Sequence, residues 1–162
     1  MAEQAVVNDD TERGRSARAN KKARVRPPQM FRHFKPDSKS GKTIVSLGQS
    51  DLIRGAVQIV KKGEGDNNLH IHTGMDGFWM VLKGRVKFYG PEDEVLGEFG
   101  PHEGIVMPRG NAYWFASTGD EDLEILQVAA FDRDVKNERI DLDPQKENVG
   151  PGKAEFFDAR VR

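Results

Sequence analysis

The central part of the chain alternates short apolar runs with clusters of turn-forming residues. Between residues 43 and 131 the runs are rich in Val, Ile and Phe, and Gly, Pro and Asp separate them. No run of helical periodicity lies between them, and this spacing is typical of an antiparallel sandwich or barrel. Gly84 and the Gly90-Pro91 pair indicate two hairpin turns. We expect strands at 43–47, 52–60, 68–72, 77–83, 85–89, 94–99, 104–107, 112–117 and 123–131.

Polar segments on either side of these runs divide the chain into three parts. We predict an N-terminal arm at residues 1–40, a barrel at 41–131 and a charged C-terminal extension at 132–162. The arm is locally basic, because residues 1–30 carry seven Lys or Arg side chains against four Asp or Glu. We interpret it as a disordered or wrapping tail. The alternative is a basic arm that contacts an acidic partner or nucleic acid, and nucleic acid is the less favoured of these.

The C-terminal extension contains one apolar pair, Phe156-Phe157, almost at its end. Such a pair in a polar tail is expected to dock on the barrel of its own chain or on a partner chain. Two extensions of this length favour a homo- or hetero-oligomer built through them, and a self-wrapping tail remains the alternative.

Composition removes several classes of function. The chain has 162 residues, a formal net charge of -1 and no cysteine, which excludes disulfides, thiolate metal sites and a cysteine nucleophile. No apolar run approaches the roughly 20 residues of a membrane span, and the N-terminus lacks the apolar stretch of a signal peptide. We therefore expect a cytoplasmic protein. The sequence has no pattern typical of a phosphate-binding loop, so we expect no nucleotide cofactor.

The strongest chemical signal is Leu69-His70-Ile71-His72. Alternate side chains of a strand share one face, so His70 and His72 point the same way, about 7 Å apart along the chain. Two neutral imidazoles at that spacing can reach one metal ion, and a carboxylate would complete a face suited to Fe(II). A pair of solvated strand histidines is the structural alternative.

The residues around this pair resemble the cupin superfamily. His70-x-His72 followed by Gly84 is similar to the first cupin motif, G-x5-H-x-H-x3,4-E-x6-G, and Pro108-x-Gly110 is similar to part of the second, G-x5-P-x-G-x2-H-x3-N. The resemblance covers about residues 43–131. It implies an all-β fold, the cupin double-stranded β-helix or jelly-roll barrel, here with extended N- and C-terminal arms. It also implies a metal held by the two histidines, the glutamate and the second-motif histidine.

The departures from these motifs concern the metal ligands. The glutamate position falls on Gly77, the second histidine position on Tyr113 and the final asparagine position on Ser117. Asp76 is adjacent to the glutamate position, but its side chain is expected on the opposite strand face unless a bulge at Gly74 or Gly77 turns it inward. Tyr113 could ligate ferric iron, although an internal hydrogen bond is the favoured role.

The resulting ligand prediction is His70, His72 and, with reservation, Asp76. The expected ion is Fe(II), in this chain or in a partner chain, with Mn(II) less favoured. No catalytic residue is identified.

Strand parity predicts which side chains line the barrel interior near this site. Alternate residues of a strand share a face, so Trp79 and Val81 face inward if Gly77 does, and Phe115 faces inward if Tyr113 does. The predicted lining is Gly77, Trp79, Tyr113 and Phe115. These aromatics either fill the barrel as core or line a pocket for a planar aromatic ligand.

Three functions follow from these observations. In its size, its domain type and its missing ligands, the chain resembles the small subunit of two-component hydroquinone-type ring-cleaving dioxygenases. This resemblance implies a supporting cupin component of a non-haem Fe(II) aromatic ring-cleaving dioxygenase, beside a larger cupin subunit that holds the iron. The first alternative is a self-sufficient cupin enzyme, a dioxygenase, isomerase or lyase that uses His70 and His72. The second is a non-enzymatic module that binds a small ligand, so enzymatic activity is left open.

Overall fold

The computed structural model describes residues 26–144 and 154–161, and within them the fold is almost entirely β. Most of the predicted basic arm lies outside the described residues, as does the middle of the C-terminal extension. The elements are β1 (Lys42–Gln49), β2 (Ile53–Val60), β3 (His70–His72), β4 (Met75–Lys83), β5 (Val86–Tyr89), a short 3-10 turn (Pro91–Asp93), β6 (Val95–Phe99), β7 (Gly104–Met107), β8 (Trp114–Ser117), β9 (Leu123–Phe131), β10 (Arg139–Asp141) and β11 (Glu155–Asp158).

These strands form a jelly-roll barrel of two facing layers. The larger sheet has the order β11-β1-β2-β9-β4-β7, and the opposite layer consists of β6-β5-β8 and β10-β3. Backbone hydrogen bonds between His70 and Tyr113, of 3.2 and 3.0 Å, join β3 to the chain just before β8. All nine predicted strands are confirmed, each with boundaries within two residues. No helix in the described part of the chain is long and apolar enough to cross a membrane.

One of the two predicted hairpin turns is wrong. β5 and β6 form the hairpin predicted at Gly90-Pro91, but β4 and β5 belong to different sheets. Gly84 is the point where the chain crosses between them. Its φ of +82° is left-handed, and a Cβ there would lie 2.8 Å from the Asp122 carbonyl oxygen, so glycine is required for the crossing.

The barrel has one core between its layers and a second on the outer face of the larger sheet. The inner core consists of Val60, Trp79, Val81, Val86, Phe88, Met107, Tyr113, Phe115, Leu123 and Ile125. The outer core consists of Val45, Leu47, Val57, Ile59 and Ala159, with Phe157 packed against it. The inner core carries the predicted chemistry, and the described C-terminal segment docks on the outer core through Phe157 and Ala159.

The C-terminal phenylalanine pair docks on its own barrel. β11 pairs with β1 in parallel, and Phe157 packs on the outer core and against Phe34, with ring centroids 6.5 Å apart. Phe156 points the other way and is 66% exposed. The backbone N–H of Arg32 donates to the Ala159 carbonyl at 3.0 Å. The two described ends of the chain therefore hold each other against the sheet.

Candidate functional site

The histidine pair lies on β3, which pairs with β10 in the layer opposite the larger sheet. The His70 ring is buried and the His72 ring is partly buried. Their ring centroids are 5.0 Å apart in an edge-to-face arrangement, and both rings contact Tyr113. The structure therefore brings both histidines to the same region of the barrel interior.

The tautomer of His70 is set by its backbone neighbour. Its Nδ1 lies 2.7 Å from the carbonyl oxygen of Asn68, so Nδ1–H donates and Nε2 is left as an acceptor. The Nδ1 of His72 is buried without a hydrogen-bond partner. This pair could present one well-oriented imidazole lone pair to a ligand, while the second ring is held mainly by packing.

Burial makes both histidines weak bases. Burial, and after it the nearby charge of Arg139, lowers the pKa of His70 to about 3 and that of His72 to about 4. Both rings are therefore neutral at pH 7.

Trp79 occupies the space beside the position where the cupin motif has glutamate. A Cβ built on Gly77 would lie 2.9 Å from the Trp79 indole Nε1, which is closer than a real side chain tolerates. The indole is buried and stacks edge-on with Phe88 and Phe115, at centroid distances of 5.8 and 5.2 Å. The indole therefore takes the space that a glutamate side chain at residue 77 would need, and glycine at this position makes room for it.

Tyr113, at the second-motif histidine position, is an aromatic core residue. It is 3% exposed and packs against His70, Trp79 and Phe88. Burial raises the pKa of its phenol above the usual range, while Arg139 and the Trp79 indole act in the opposite direction. The phenol is therefore protonated at neutral pH, which disfavours it as a metal ligand.

The four predicted lining residues lie together in the interior. Gly77, Trp79, Tyr113 and Phe115 are all buried, and the crevice that His72, Gly77 and Tyr113 help to line is too narrow to admit a water molecule. The aromatics therefore fill this part of the barrel, and within the described residues this crevice has no room for a planar ligand.

Asp76 lies on the strand face opposite that of Gly77 and binds the turn at Pro108–Gly110. The pairing of β4 with β9 is regular from Met75 to Val81, so no bulge turns Asp76 toward the interior. Its Oδ1 accepts a hydrogen bond of 2.9 Å from the backbone N–H of Arg109. The guanidinium of Arg109 in turn pairs with Asp132. Asp76 therefore holds the Pro108–Gly110 turn, and the bulge that its prediction as a metal ligand requires is absent from this pairing.

Two cations near the histidines were not expected from the sequence. Arg139 on β10 lies directly across from His72 in the β10–β3 pairing. The part-buried Lys42 faces the interior, with its ammonium 5.4 Å from the Phe115 ring centroid, and burial lowers its pKa to about 8. The sequence signal for either is weak, because Arg139 meets the site through a pairing with a distant strand and Lys42 through its contact with the distant Phe115.

The donor set does not fit the metal centre implied by the cupin resemblance. The residues that the structure describes contain no group of three or more His, Cys, Asp or Glu side chains able to hold a metal ion. Two imidazoles are present, but the glutamate position is filled by an indole, the second-motif position carries a protonated phenol, and Asp76 binds elsewhere. Two histidines alone give fewer protein ligands than such sites use.

Comparison with known proteins agrees with the fold. Residues 56–129 match the cupin domain family. No curated protein matches the chain at the sequence level. Among solved structures, the polyketide cyclase RemF from Streptomyces resistomycificus is 21% identical with a TM-score of 0.53, over 75% of this chain and 82% of its own. KdgF from Halomonas sp. is 16% identical with a TM-score of 0.54, over 65% and 96%.

The Cnp3 cupin domain from Schizosaccharomyces pombe is also similar, at 15% identity and a TM-score of 0.52, over 58% of this chain and 67% of its own. At these identities the likeness concerns the fold alone, because one fold supports many chemistries. The match over residues 56–129 and the jelly-roll topology together show that this chain has the cupin fold.

Proposed function

We propose that this chain is a supporting cupin component without a metal centre of its own. Its partner is a larger cupin chain that holds Fe(II) and cleaves aromatic rings of the hydroquinone type. The observation that carries the first part is the Trp79 indole, which lies where a glutamate ligand at residue 77 would extend. The partner class rests on the resemblance in size, domain type and missing ligands.

The packed interior supports a non-catalytic role. Trp79, Phe88, Tyr113 and Phe115 are all buried and in mutual ring contact. A reaction at the histidines would need room for substrate as well as metal, and close-packed aromatic side chains leave none. The same packing gives no support to a small-ligand-binding module or to a self-sufficient enzyme that uses His70 and His72.

Exposed apolar side chains on the larger sheet support a subunit role. Phe78 on β4 lies between Val106 on β7 and Val128 on β9 in the strand register. Phe78 is 48% exposed and Val106 is 60% exposed. The outer core on the same face is instead covered in part by Phe157 and Ala159 of the described C-terminal segment. A contiguous exposed apolar patch is a common feature of protein–protein interfaces.

The proposal is tested by co-expressing this chain with the iron-bearing larger chain of a hydroquinone-type ring-cleaving dioxygenase. The readouts are co-purification, iron content and ring cleavage. We expect a His70→Gln/His72→Gln variant to assemble and retain ring-cleaving activity, because neither histidine holds the iron. We expect Phe78→Asp to reduce co-purification.

Leu96→Asp is the matched control for Phe78→Asp, since Leu96 is 42% exposed on β6, in the opposite layer. An assembled complex that loses activity when only the two histidines are changed would contradict the supporting role. Equal loss of assembly in the Leu96 and Phe78 variants would contradict the assigned surface.

A further inference from the structure

Arg139 is fixed beside the histidine pair by strand pairing. In the antiparallel pairing of β10 with β3, Arg139 faces His72 and Asp141 faces His70. Directly paired residues of an antiparallel ladder project to the same side of the sheet. The side chain of Arg139 therefore lies on the same face of this ribbon as the imidazoles.

Hydrogen bonds hold the guanidinium in this position. Its Nε donates to Asp141 Oδ1 at 2.9 Å and its Nη2 donates to Asn68 Oδ1 at 2.6 Å. Asn68 is buried, and its own carbonyl oxygen binds the His70 ring. The same residue thus orients both His70 and Arg139, which ties the position of the charge to that of the imidazole.

The charge of Arg139 reaches the whole site. It lowers the pKa values of His70, His72, Tyr113 and Lys42. The carboxylate of Asp141 opposes this effect at His72, but more weakly than Arg139 acts there. The interior near the histidines is therefore electropositive, although Arg139 is partly neutralised by its aspartate neighbour.

We propose that Arg139 excludes divalent metal ions from the His70–His72 pair by placing a fixed positive charge beside it. This inference rests on the proposed function and deepens it, because it adds an electrostatic obstacle to metal binding to the missing ligands. A guanidinium does not lose its proton in proteins, so the charge persists at every accessible pH. Arg139 is itself exposed and paired with Asp141, but the His70 ring is buried, so water screens the repulsion of a divalent ion there only in part.

The test is a Co(II) titration of the full chain, followed by paramagnetic shifts of histidine ring protons, which detect even weak binding. The variants are Arg139→Gln and Arg139→Met, which remove the charge, and Arg139→Lys, which keeps it. Arg160→Gln is the matched control, because Arg160 also pairs with an aspartate two residues away, Asp158 at 2.9 Å, but on the exposed C-terminal segment.

We expect the Gln and Met variants to bind Co(II) at least about tenfold more tightly than the wild type, and His72→Ala in the same background to abolish the gain. The Lys variant and the Arg160 control should bind as the wild type does. Folded Gln and Met variants that bind no better than the wild type would overturn the inference. A wild-type chain that binds one Co(II) through both histidines would instead overturn the proposed function, so the two failures are distinguishable.

Discussion

At the scale of single residues, the site is defined by what fills the position of the cupin glutamate. Parity along β4 predicted that Gly77 and Trp79 share a face. The structure adds that the indole folds back over the glycine, so that residue 77 has no room for a Cβ. Sequence reasoning left open whether the aromatics fill the barrel, since side-chain rotamers across several strands decide it.

This contact predicts a strong coupling between the two residues. Gly77→Ala should lower the free energy of unfolding by about 1–3 kcal/mol, because the new methyl group overlaps the indole Nε1. In a Trp79→Phe background the same change should cost less, because the overlapping atom is gone. Chemical denaturation of the four proteins gives the coupling energy. An equal cost in both backgrounds would show that the indole does not occupy this space.

The buried histidines predict a pH dependence of stability. Their folded pKa values of about 3 and 4 lie below the ordinary value of 6.5, so between these values the unfolded chain binds more protons than the folded chain. The free energy of unfolding should therefore fall as the pH drops from about 6.5 towards 4, by up to about 1.4 kcal/mol per pH unit for each histidine.

Urea denaturation between pH 4.5 and 7 measures this slope. His70→Gln/His72→Gln should flatten it, whereas His33→Gln, at an exposed position, should leave it unchanged. A slope that persists in the double variant would assign the effect to other groups.

Arg139 and Lys42 show where residue-level prediction ends. Each is a charged residue in a segment with no motif: Arg139 reaches the histidines through the pairing of β10 with β3, and Lys42 through a side chain that extends to the Phe115 ring. Arg139 is 67 positions from His72, its partner in the strand pairing. Such a pairing is a property of the folded chain, and local pattern does not encode it.

At the scale of elements, the nine barrel strands were predictable and the two added strands were not. The barrel strands are apolar runs bounded by turn residues, which is a strong local signal. β10 has only three residues, all exposed, and β11 lies in a polar tail. Their backbone hydrogen bonds are made with β3 and β1, about 70 and 110 residues earlier in the chain.

The docking of β11 predicts that the two adjacent phenylalanines differ. Phe157→Ala should lower the free energy of unfolding by about 2 kcal/mol, because its ring packs on the outer core and on Phe34. Phe156→Ala should change it by no more than about 0.5 kcal/mol, since that ring is 66% exposed. Thermal and chemical denaturation of both variants compare the two. Similar losses would mean that β11 docks in another register.

At the scale of the whole molecule, the fold agrees with the cupin resemblance while the interior departs from it. The jelly-roll layers, the two histidines and the Pro108–Gly110 turn are all in place. The carboxylate and the third imidazole are replaced by an indole and a phenol within one aromatic core. The apolar surface left on the larger sheet is then the feature by which the chain would act on a partner.

The most direct test of this account is the iron content of the chain purified alone. The chain is loaded with Fe(II) under anaerobic conditions, freed of unbound metal and assayed for iron per chain, with His70→Ala/His72→Ala as the control. The account predicts well under one iron per chain, with no difference between the wild type and the control. Close to one iron per wild-type chain, lost in the double variant, would contradict it and would make this chain a metal-binding cupin in its own right.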